Sequence, residues 1–270
     1  MDDVNSKLSF PQFDMVTNLS DHLFLSRNPN PWKPNDCCLK AINKDWRILQ
    51  DNLPDSIYVR VCETRLDILS VAIIGVAGTP YHDGVFFFDI VLPPNYPESP
   101  PKARYRTLGY PINPLINKDS GDIFMNLQPT WLYRIEKWLI MGTHFEMTWN
   151  AKQSSLLQFL LCLQNEVLVE KPGSYLGKQF TQLGCQISFL YTCITAIRLI
   201  RNPPTNFEPL IHHHYRNRAN AILSACEAYA NGHVMIGLYG CNGPDPPDFF
   251  ILSKFQVHMD LVYSLLLQEF

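Results

Sequence analysis

The chain has 270 residues, of which 46% are hydrophobic and 17% are charged, and its formal net charge is −3. This is enough apolar material for one large domain, or for a core domain with an appended one. The slight acidity offers no electrostatic footprint for nucleic acid or for an anionic membrane. No stretch reaches the roughly eighteen uninterrupted apolar residues of a membrane span, and the N-terminus is polar and acidic. We therefore expect a cytoplasmic or nuclear protein with no nucleic-acid partner and no membrane span.

The cysteines and histidines do not have the spacing of a metal site. No CxxC pair occurs, and a run of three histidines on a helix points in three directions, so it cannot close on one ion. We expect most cysteines to be buried, reduced thiols, and we expect no metal and no cofactor. The eight cysteines are at positions 37, 38, 62, 162, 185, 193, 226 and 241.

The first predicted helix covers residues 39–52. Ile42, Trp46 and Leu49 recur at helical spacing, and Pro54 closes the segment. Residues 1–38, rich in Asp, Asn, Ser and Pro, are interpreted as an N-terminal tail that docks locally.

Four predicted strands follow, and a short turn joins the second to the third. A turn with Gly78, Pro80 and Gly84 favours a hairpin at this point, and the prolines from Pro93 onward end the third strand. The pattern predicts an α+β fold with a four-stranded antiparallel meander and helices on one side. The predicted strands cover residues 56–62, 67–74, 85–92 and 102–107.

The remainder of the chain is predicted to be helical. The nearly unbroken apolar run of 154–168 favours a buried helix, and residues 187–200 form another that Pro203 ends. Thr205 and Glu208 have capping-box spacing at the start of the next helix. The last two helices have apolar stripes that consist of Ile211, Tyr215, Ile222, Cys226 and Tyr229 in one, and of Ile251, Phe255, Met259, Val262 and Leu266 in the other.

The segment Tyr96-Pro97-Glu98-Ser99-Pro100-Pro101 resembles the Tyr-Pro-x-x-Pro-Pro element of the ubiquitin-conjugating enzyme family. The segments after residue 53 and after residue 201 are similar to the large plant members in particular. The resemblance implies a conjugating core over residues 39–172 and a helical extension over 173–270. It also implies ubiquitin, a ubiquitin ligase or an active conjugating enzyme as partners, which would contact the opening helix and Pro97, Pro100 and Pro101.

The family's active-site frame is also recognisable. Family members carry an Asn-Pro-Asn or His-Pro-Asn motif, then a Gly-x-Val-Cys-Leu segment with the nucleophilic cysteine, then Thr-Trp. The matching residues here are Asn113, Pro114, Leu115, Gly121, Phe124, Thr130 and Trp131.

Two replacements in this frame remove the chemistry that the resemblance implies. Phe124 stands where the thioester-forming cysteine should be, and a phenyl ring offers no nucleophile. Leu115 stands at the position of the asparagine that helps hold the oxyanion, a contribution of about 3 kcal/mol for one such donor. Asn117 lies two positions out of register for that role.

Two functional hypotheses from different classes remain open, beside the possibility that the gene is decaying and its product has no function. In the first, the chain is a catalytically inactive variant that binds ubiquitin, a ligase or an active conjugating enzyme. In the second, it is a working ubiquitin transferase that uses a non-family cysteine or whose gene model needs correction. The segment of residues 139–153 is longer than the family pattern requires. It either fills the groove in which the thioester would lie or reflects an error at an exon boundary. Cys62 and Cys162 lie in a predicted strand and a predicted buried helix, and Cys37 and Cys38, on the N-terminal side, have no identifiable base or oxyanion donor. We therefore expect none of the four to be a credible nucleophile.

Overall fold

The computed structural model describes residues 10–25, 34–110, 112–113, 116–123, 149–168, 178–240 and 251–270. The chain divides into two compact units. The sheet unit consists of Pro11–Ile73 and Phe86–Leu168, and the helical unit of Met1–Phe10, Ile74–Val85 and Val169–Phe270. The domain boundaries that we placed at residues 38 and 172 stay predictions.

Five strands form one mixed sheet in the order β1-β2-β3-β4-β5. Strand β1 runs parallel to β2, with Phe13 opposite Val59, whereas β2–β3 and β4–β5 are antiparallel. The α+β class is confirmed, and the sheet has one strand more than the predicted meander. The four residues of β1 are too few to show alternation, and a parallel neighbour needs no turn signal in the sequence. The strands are β1 (Phe13–Val16), β2 (Ile57–Cys62), β3 (Ile68–Ile74), β4 (Val85–Val91) and β5 (Lys102–Tyr105).

The two faces of the sheet differ in polarity. The Ser70 hydroxyl donates to Asp89, so these two side chains lie on one face of the sheet. Successive side chains of a strand lie on opposite faces, so Phe86 and Phe88 lie on the other. The aromatic face includes Tyr105, whose ring centroid lies 5.5 Å from that of Phe88. Six of the seven residues in each of β3 and β4 are buried, so both faces are covered.

Part of the predicted N-terminal tail belongs to this fold. The side chain of Gln12 donates a hydrogen bond of 2.5 Å to the carbonyl of Pro54 and one of 3.2 Å to that of Ile57. The buried Arg60 donates from Nη1 to the carbonyl of Pro11 at 3.0 Å. These bonds hold the segment before β1 against the start of β2.

Two helices complete the sheet unit. Helix α1 (Asp36–Asn52) begins at Asn35, whose side chain accepts a 2.8 Å hydrogen bond from the amide of Cys38. Helix α2 (Leu156–Val167) begins with a capping box between Ser155 and Gln158. The two helices pack against each other.

Three helices form most of the helical unit: α3 (Lys178–Arg201), α4 (Glu208–Ala230) and α5 (Ser253–Glu269), which all contact one another. The predicted apolar stripes of α4 and α5 are buried, except that Ile251 precedes α5 and is half-buried. The predicted capping box at Thr205 is wrong. Helix α4 starts at Glu208 with Phe207 as its N-cap residue, because Pro209 occupies the first turn and Asn206 has a φ of 68°.

The turn between β3 and β4 packs inside the helical unit. Gly75 is required there, since a β-carbon at this position would lie 1.8 Å from the carbonyl oxygen of Tyr81. The Tyr81 hydroxyl donates to Ser188 of α3 at 3.4 Å, and the amide of Val85 donates to the hydroxyl of Tyr215 on α4 at 3.1 Å. The turn is therefore ordered by the C-terminal helices of its own unit.

A polar network around Tyr229 and Asp83 fixes the same turn. The Tyr229 hydroxyl accepts from the amides of Gly237 at 3.0 Å and Tyr239 at 3.1 Å, so it donates its proton to Nε2 of His82 at 2.9 Å. His82 then donates from Nδ1 to Asp83 at 2.8 Å, and Asp83 also accepts from Arg218 at 2.6 Å. Burial alone would raise the pKa of Asp83, but His82 and Arg218 outweigh it and hold the pKa below its usual value.

One segment of the described chain, Thr181–Arg201 of α3, is long and apolar enough to cross a membrane by length and composition. Half of its most apolar window is buried in the helical unit. A single helix of this kind is weak evidence for a span, because core helices of soluble proteins have the same composition.

Candidate functional site

The described part of the active-site frame contains Asn113 and Gly121. Pro114, Leu115, Phe124, Thr130 and Trp131 lie outside the described residues, as do residues 139–148 of the long segment. The structure thus describes the residues on either side of positions 114–115 and those just before Phe124.

Asn113 ties the frame to the end of α2. Its side chain is buried and donates from Nδ2 to the carbonyl of Val167, in the last turn of that helix, at 2.9 Å. Its own carbonyl accepts from the amide of Ile116 at 3.0 Å. The bond from Asn113 to the Val167 carbonyl also satisfies one of the carbonyls that a helix C-terminus leaves without an intrahelical partner.

Asn117 is engaged in a tight turn. Its side-chain oxygen accepts from the amides of Asp119 at 2.9 Å and Ser120 at 3.0 Å, and Ile116 forms an isolated β-bridge with Ile123. An asparagine that closes a turn in this way is held by local bonds. The out-of-register position of Asn117 relative to the family asparagine stays a prediction.

Gly121 fixes the frame to strand β5. Its φ is 70°, and a β-carbon would lie 2.1 Å from the carbonyl oxygen of Tyr105, so no side chain fits. The amide of Tyr105 donates to the carbonyl of Gly121 at 2.9 Å, and the neighbouring Arg104 donates from Nε to Asp122 at 2.5 Å. The glycine that the sequence assigned to the frame therefore has a steric reason to be there.

The proline-rich loop carries the predicted partner-binding prolines. Pro101 is buried, whereas Pro97 and Pro100 are half-buried and keep part of their rings at the surface. The carbonyl of Pro97 accepts a 2.7 Å hydrogen bond from the indole nitrogen of Trp149, whose ring centroid lies 5.9 Å from that of Tyr96. Trp149, which belongs to the long segment of residues 139–153, thus packs against the proline-rich loop.

Asp45 connects this loop to both helices of the sheet unit. Its carboxylate accepts from the hydroxyl of Tyr96 and, at 3.0 Å, from the amide of Leu156 at the start of α2. Burial raises the pKa of Asp45 above its usual value, although both hydrogen bonds act in the opposite direction. Burial and the charge of Asp45 also raise the pKa of Tyr96.

Sequence reasoning missed Asp45, although a signal was present. It lies between Ile42 and Leu49 on the buried face of α1, and a carboxylate on an apolar stripe requires a partner. On the same helix, the buried Cys38 donates from its thiol to the carbonyl of Tyr96 at 2.7 Å.

The described cysteines are reduced, and Cys37 is the one among them that is exposed. The others are Cys38, Cys62, Cys162, Cys185, Cys193 and Cys226, and Cys241 lies outside the described residues. No group of three or more His, Cys, Asp or Glu side chains in the described part of the chain is arranged to hold a metal ion. Of the histidine run, His212 is exposed, His213 bonds Asn217 and His214 bonds the carbonyl of Asp83.

Comparison with known proteins assigns the family. Residues 41–169 match the family model described as ubiquitin-conjugating enzyme. The chain is 35% identical over 235 residues to the putative ubiquitin-conjugating enzyme E2 38 of Arabidopsis thaliana, which covers 83% of this chain and 69% of that protein. The chain belongs to the ubiquitin-conjugating enzyme family.

Other members of the ubiquitin-conjugating enzyme family are considerably longer. The probable ubiquitin-conjugating enzyme E2 24 of Arabidopsis thaliana is 36% identical over 283 residues, and the alignment covers 100% of this chain but 30% of that protein. A solved structure of human ubiquitin-conjugating enzyme E2 G1 matches 49% of this chain and 94% of its own, with 20% identity and a TM-score of 0.37.

Proposed function

We propose that this chain is a non-catalytic member of the ubiquitin-conjugating enzyme family that binds ubiquitin, a ubiquitin ligase or an active conjugating enzyme. The observation that carries the proposal is Phe124, at the position of the thioester-forming cysteine. Thioester formation needs a thiolate, and carbon in a phenyl ring has no lone pair to attack with.

Leu115 supports the same proposal. In the family frame this position carries an asparagine whose amide holds the developing oxyanion, and a leucine side chain has no donor. Changing Phe124 to cysteine alone would therefore not restore the reaction. Asn113 and Asn117, the nearest described asparagines, are engaged with the carbonyl of Val167 and with a turn.

An active enzyme that uses another cysteine is the second candidate. Cys37 favours it, because it is exposed and lies in the first turn of α1. The relatives are also named as conjugating enzymes. The family motif argues against this candidate, because it places the nucleophile at position 124 and not on α1.

The proposed partner surface combines α1 with the proline-rich loop. Lys40, Lys44 and Arg47 lie at helical spacing on the exposed face of α1 and form a basic stripe suited to an acidic partner. Pro97 and Pro100 offer partly exposed, rigid apolar rings. The hydrogen bond from Tyr96 to Asp45 joins these two elements.

A thioester charging assay separates the two candidates. The purified chain is mixed with ubiquitin, ubiquitin-activating enzyme and ATP, and the products are compared on reducing and non-reducing gels beside an active family member. We expect no thiol-sensitive adduct. An adduct that disappears in Cys37→Ser would establish the enzyme and overturn the proposal.

Binding is tested on the same material. Isotope-labelled ubiquitin and an active conjugating enzyme are each titrated with the chain, and we expect at least one to bind. Lys44→Glu should weaken that binding, whereas Lys118→Glu, at a side chain that is 75% exposed in the 116–123 turn, should not. No binding to either protein or to a ligase panel would contradict the proposal.

A further inference from the structure

The polar face of the sheet is covered by residues 18–25, here called the strap. Leu19 of the strap is buried in a cluster with Cys62 of β2 and Ile68 of β3. At the other end, the ring of Phe24 lies under the guanidinium of Arg104, 4.7 Å from its centroid. The strap therefore helps to shield Cys62, a residue that is only 4% exposed.

Asp89 of β4 is the main polar anchor of the strap. Its two carboxylate oxygens accept four hydrogen bonds: from the Ser70 hydroxyl at 2.5 Å, from Arg106 at 2.8 and 3.0 Å, and from the strap amide of Leu23 at 2.8 Å. A carboxylate has about four acceptor sites, so Asp89 has no site left for another donor.

His22, at the centre of the strap, is held in its neutral form by its neighbours. Its Nε2 lies 3.0 Å from the carbonyl of Leu69, which can only accept, so Nε2 carries the proton. Its Nδ1 then faces the amide of Phe24, which donates to it at 3.4 Å. A second proton on Nδ1 would point at a donor.

The charges that face His22 do not offset this mismatch. Asp89 lies 3.9 Å from Nε2, beyond hydrogen-bond distance and already satisfied, and Arg106 after β5 pairs with both Asp89 and Asp21. Burial lowers the pKa of His22 below 6.5, while the attraction of Asp89 and Asp21 only partly opposes the effect of burial and of Arg106.

We propose that the strap is an acid-sensitive cover of the sheet, which loosens when His22 takes up a proton and then exposes Cys62, Ile68 and the cluster of Ser70 and Asp89. Protonation removes the acceptor of the Phe24 amide, places a second N–H opposite that donor, and leaves a charged imidazolium buried under the strap. An opened strap returns the imidazolium to water, so acid favours the open form. Each pH unit below 6.5 increases the open fraction by up to about tenfold, until the pKa of the closed form is reached.

Thiol labelling of the full chain tests the proposal. An aromatic disulfide reagent is applied briefly at about pH 7.5 and about pH 5, on either side of the ordinary histidine value, and labelled peptides are quantified by mass spectrometry. Cys162, buried in α2, which packs against α1, is the internal reference. We expect the ratio of Cys62 to Cys162 labelling to rise by about fivefold or more in acid.

Two variants assign the effect to His22. His22→Gln keeps a donor and an acceptor but cannot be protonated, so its labelling ratio should stay constant with pH. His214→Gln removes a histidine of the helical unit whose pKa burial also lowers, and it should behave like the wild type. A ratio that stays constant in the wild type, or that still rises in His22→Gln, overturns the proposal.

Hydrogen exchange in the wild-type chain decides the question if His22→Gln does not fold. In the closed strap the amide of Leu23 donates to the carboxylate of Asp89, and the amide of Leu25 donates to the carbonyl of His22. With the amides of α2 as reference, their protection should fall in acid. Unchanged relative protection would also overturn the proposal.

Discussion

The Tyr96 hydroxyl of the proline-rich loop donates its proton to the buried carboxylate of Asp45 on α1. Tyr96→Phe removes that donor and leaves one carboxylate oxygen buried without its partner. We expect the free energy of unfolding of the sheet unit to fall by about 1 to 3 kcal/mol. Urea denaturation measures the change, and Tyr239→Phe, at a tyrosine that is 38% exposed, should have no measurable effect. Equal losses in the two variants would contradict this role of Asp45.

Gly121 is predicted to reject any side chain. Gly121→Ala combines a φ of 70° with a β-carbon 2.1 Å from the Tyr105 carbonyl, so the backbone must move, and we expect a loss of at least about 3 kcal/mol. Gly78→Ala is the matched control, because its φ is 86° and nothing lies within 4 Å of its β-carbon. It should cost only about 1 to 2 kcal/mol, the strain of the left-handed conformation. Similar midpoints for the two variants in urea would refute the steric argument.

Trp46 separates packing from hydrogen bonding on α1. Its ring packs near Phe13 of β1, with centroids 6.4 Å apart, and its buried indole nitrogen has no hydrogen-bond partner among the residues that the structure describes. Trp46→Ala should cost about 3 kcal/mol or more through lost packing. Trp46→Phe keeps an aromatic ring and removes the buried donor, so we expect a change below about 1 kcal/mol. A large loss in Trp46→Phe, measured by thermal denaturation, would show that the indole nitrogen has a partner.

His214 predicts acid sensitivity of the helical unit. Burial lowers its pKa below the ordinary 6.5, although the carbonyl and the charge of Asp83 raise it in part. The unfolded chain therefore binds the proton first as the pH falls below 6.5, and stability decreases until the pKa of the folded form is reached. The slope has an upper limit of about 1.4 kcal/mol per pH unit for this group. In His214→Gln, unfolding monitored between about pH 7.5 and about pH 5 should have a shallower slope, and an unchanged slope would refute the prediction.

The sequence predicted the helices and four of the five strands because their periodicity is strong. Residues such as Ile42, Leu49, Tyr215 and Tyr229 repeat at helical spacing and are buried where expected. Strand β1 was missed because its pairing partner, Val59, lies 46 positions away from Phe13. Pairing over such a separation leaves no local pattern in the sequence.

The candidate site was predicted only in part, for a different physical reason. Gly121 and Asn113 were found by motif, and the structure adds the steric and hydrogen-bonding reasons for both. Asp45 and Trp149 carry no motif, since their roles depend on Tyr96 and Pro97 from distant parts of the chain. Partners of buried polar groups are decided by tertiary packing, which spacing along the chain does not encode.

The bonds of Tyr229 to His82, Gly237 and Tyr239 constrain how this chain can vary during evolution. A change at residue 82 alters the acceptor of the Tyr229 hydroxyl, and a change at 229 removes the oxygen that accepts from two amides after α4. These positions should therefore vary together among relatives, and the turn before β4 should diverge at the pace of the C-terminal helices. A shortened chain that ends before α4 would keep the residues of that turn. It would lose Tyr229, Tyr215 and Arg218, whose side chains bond to the turn.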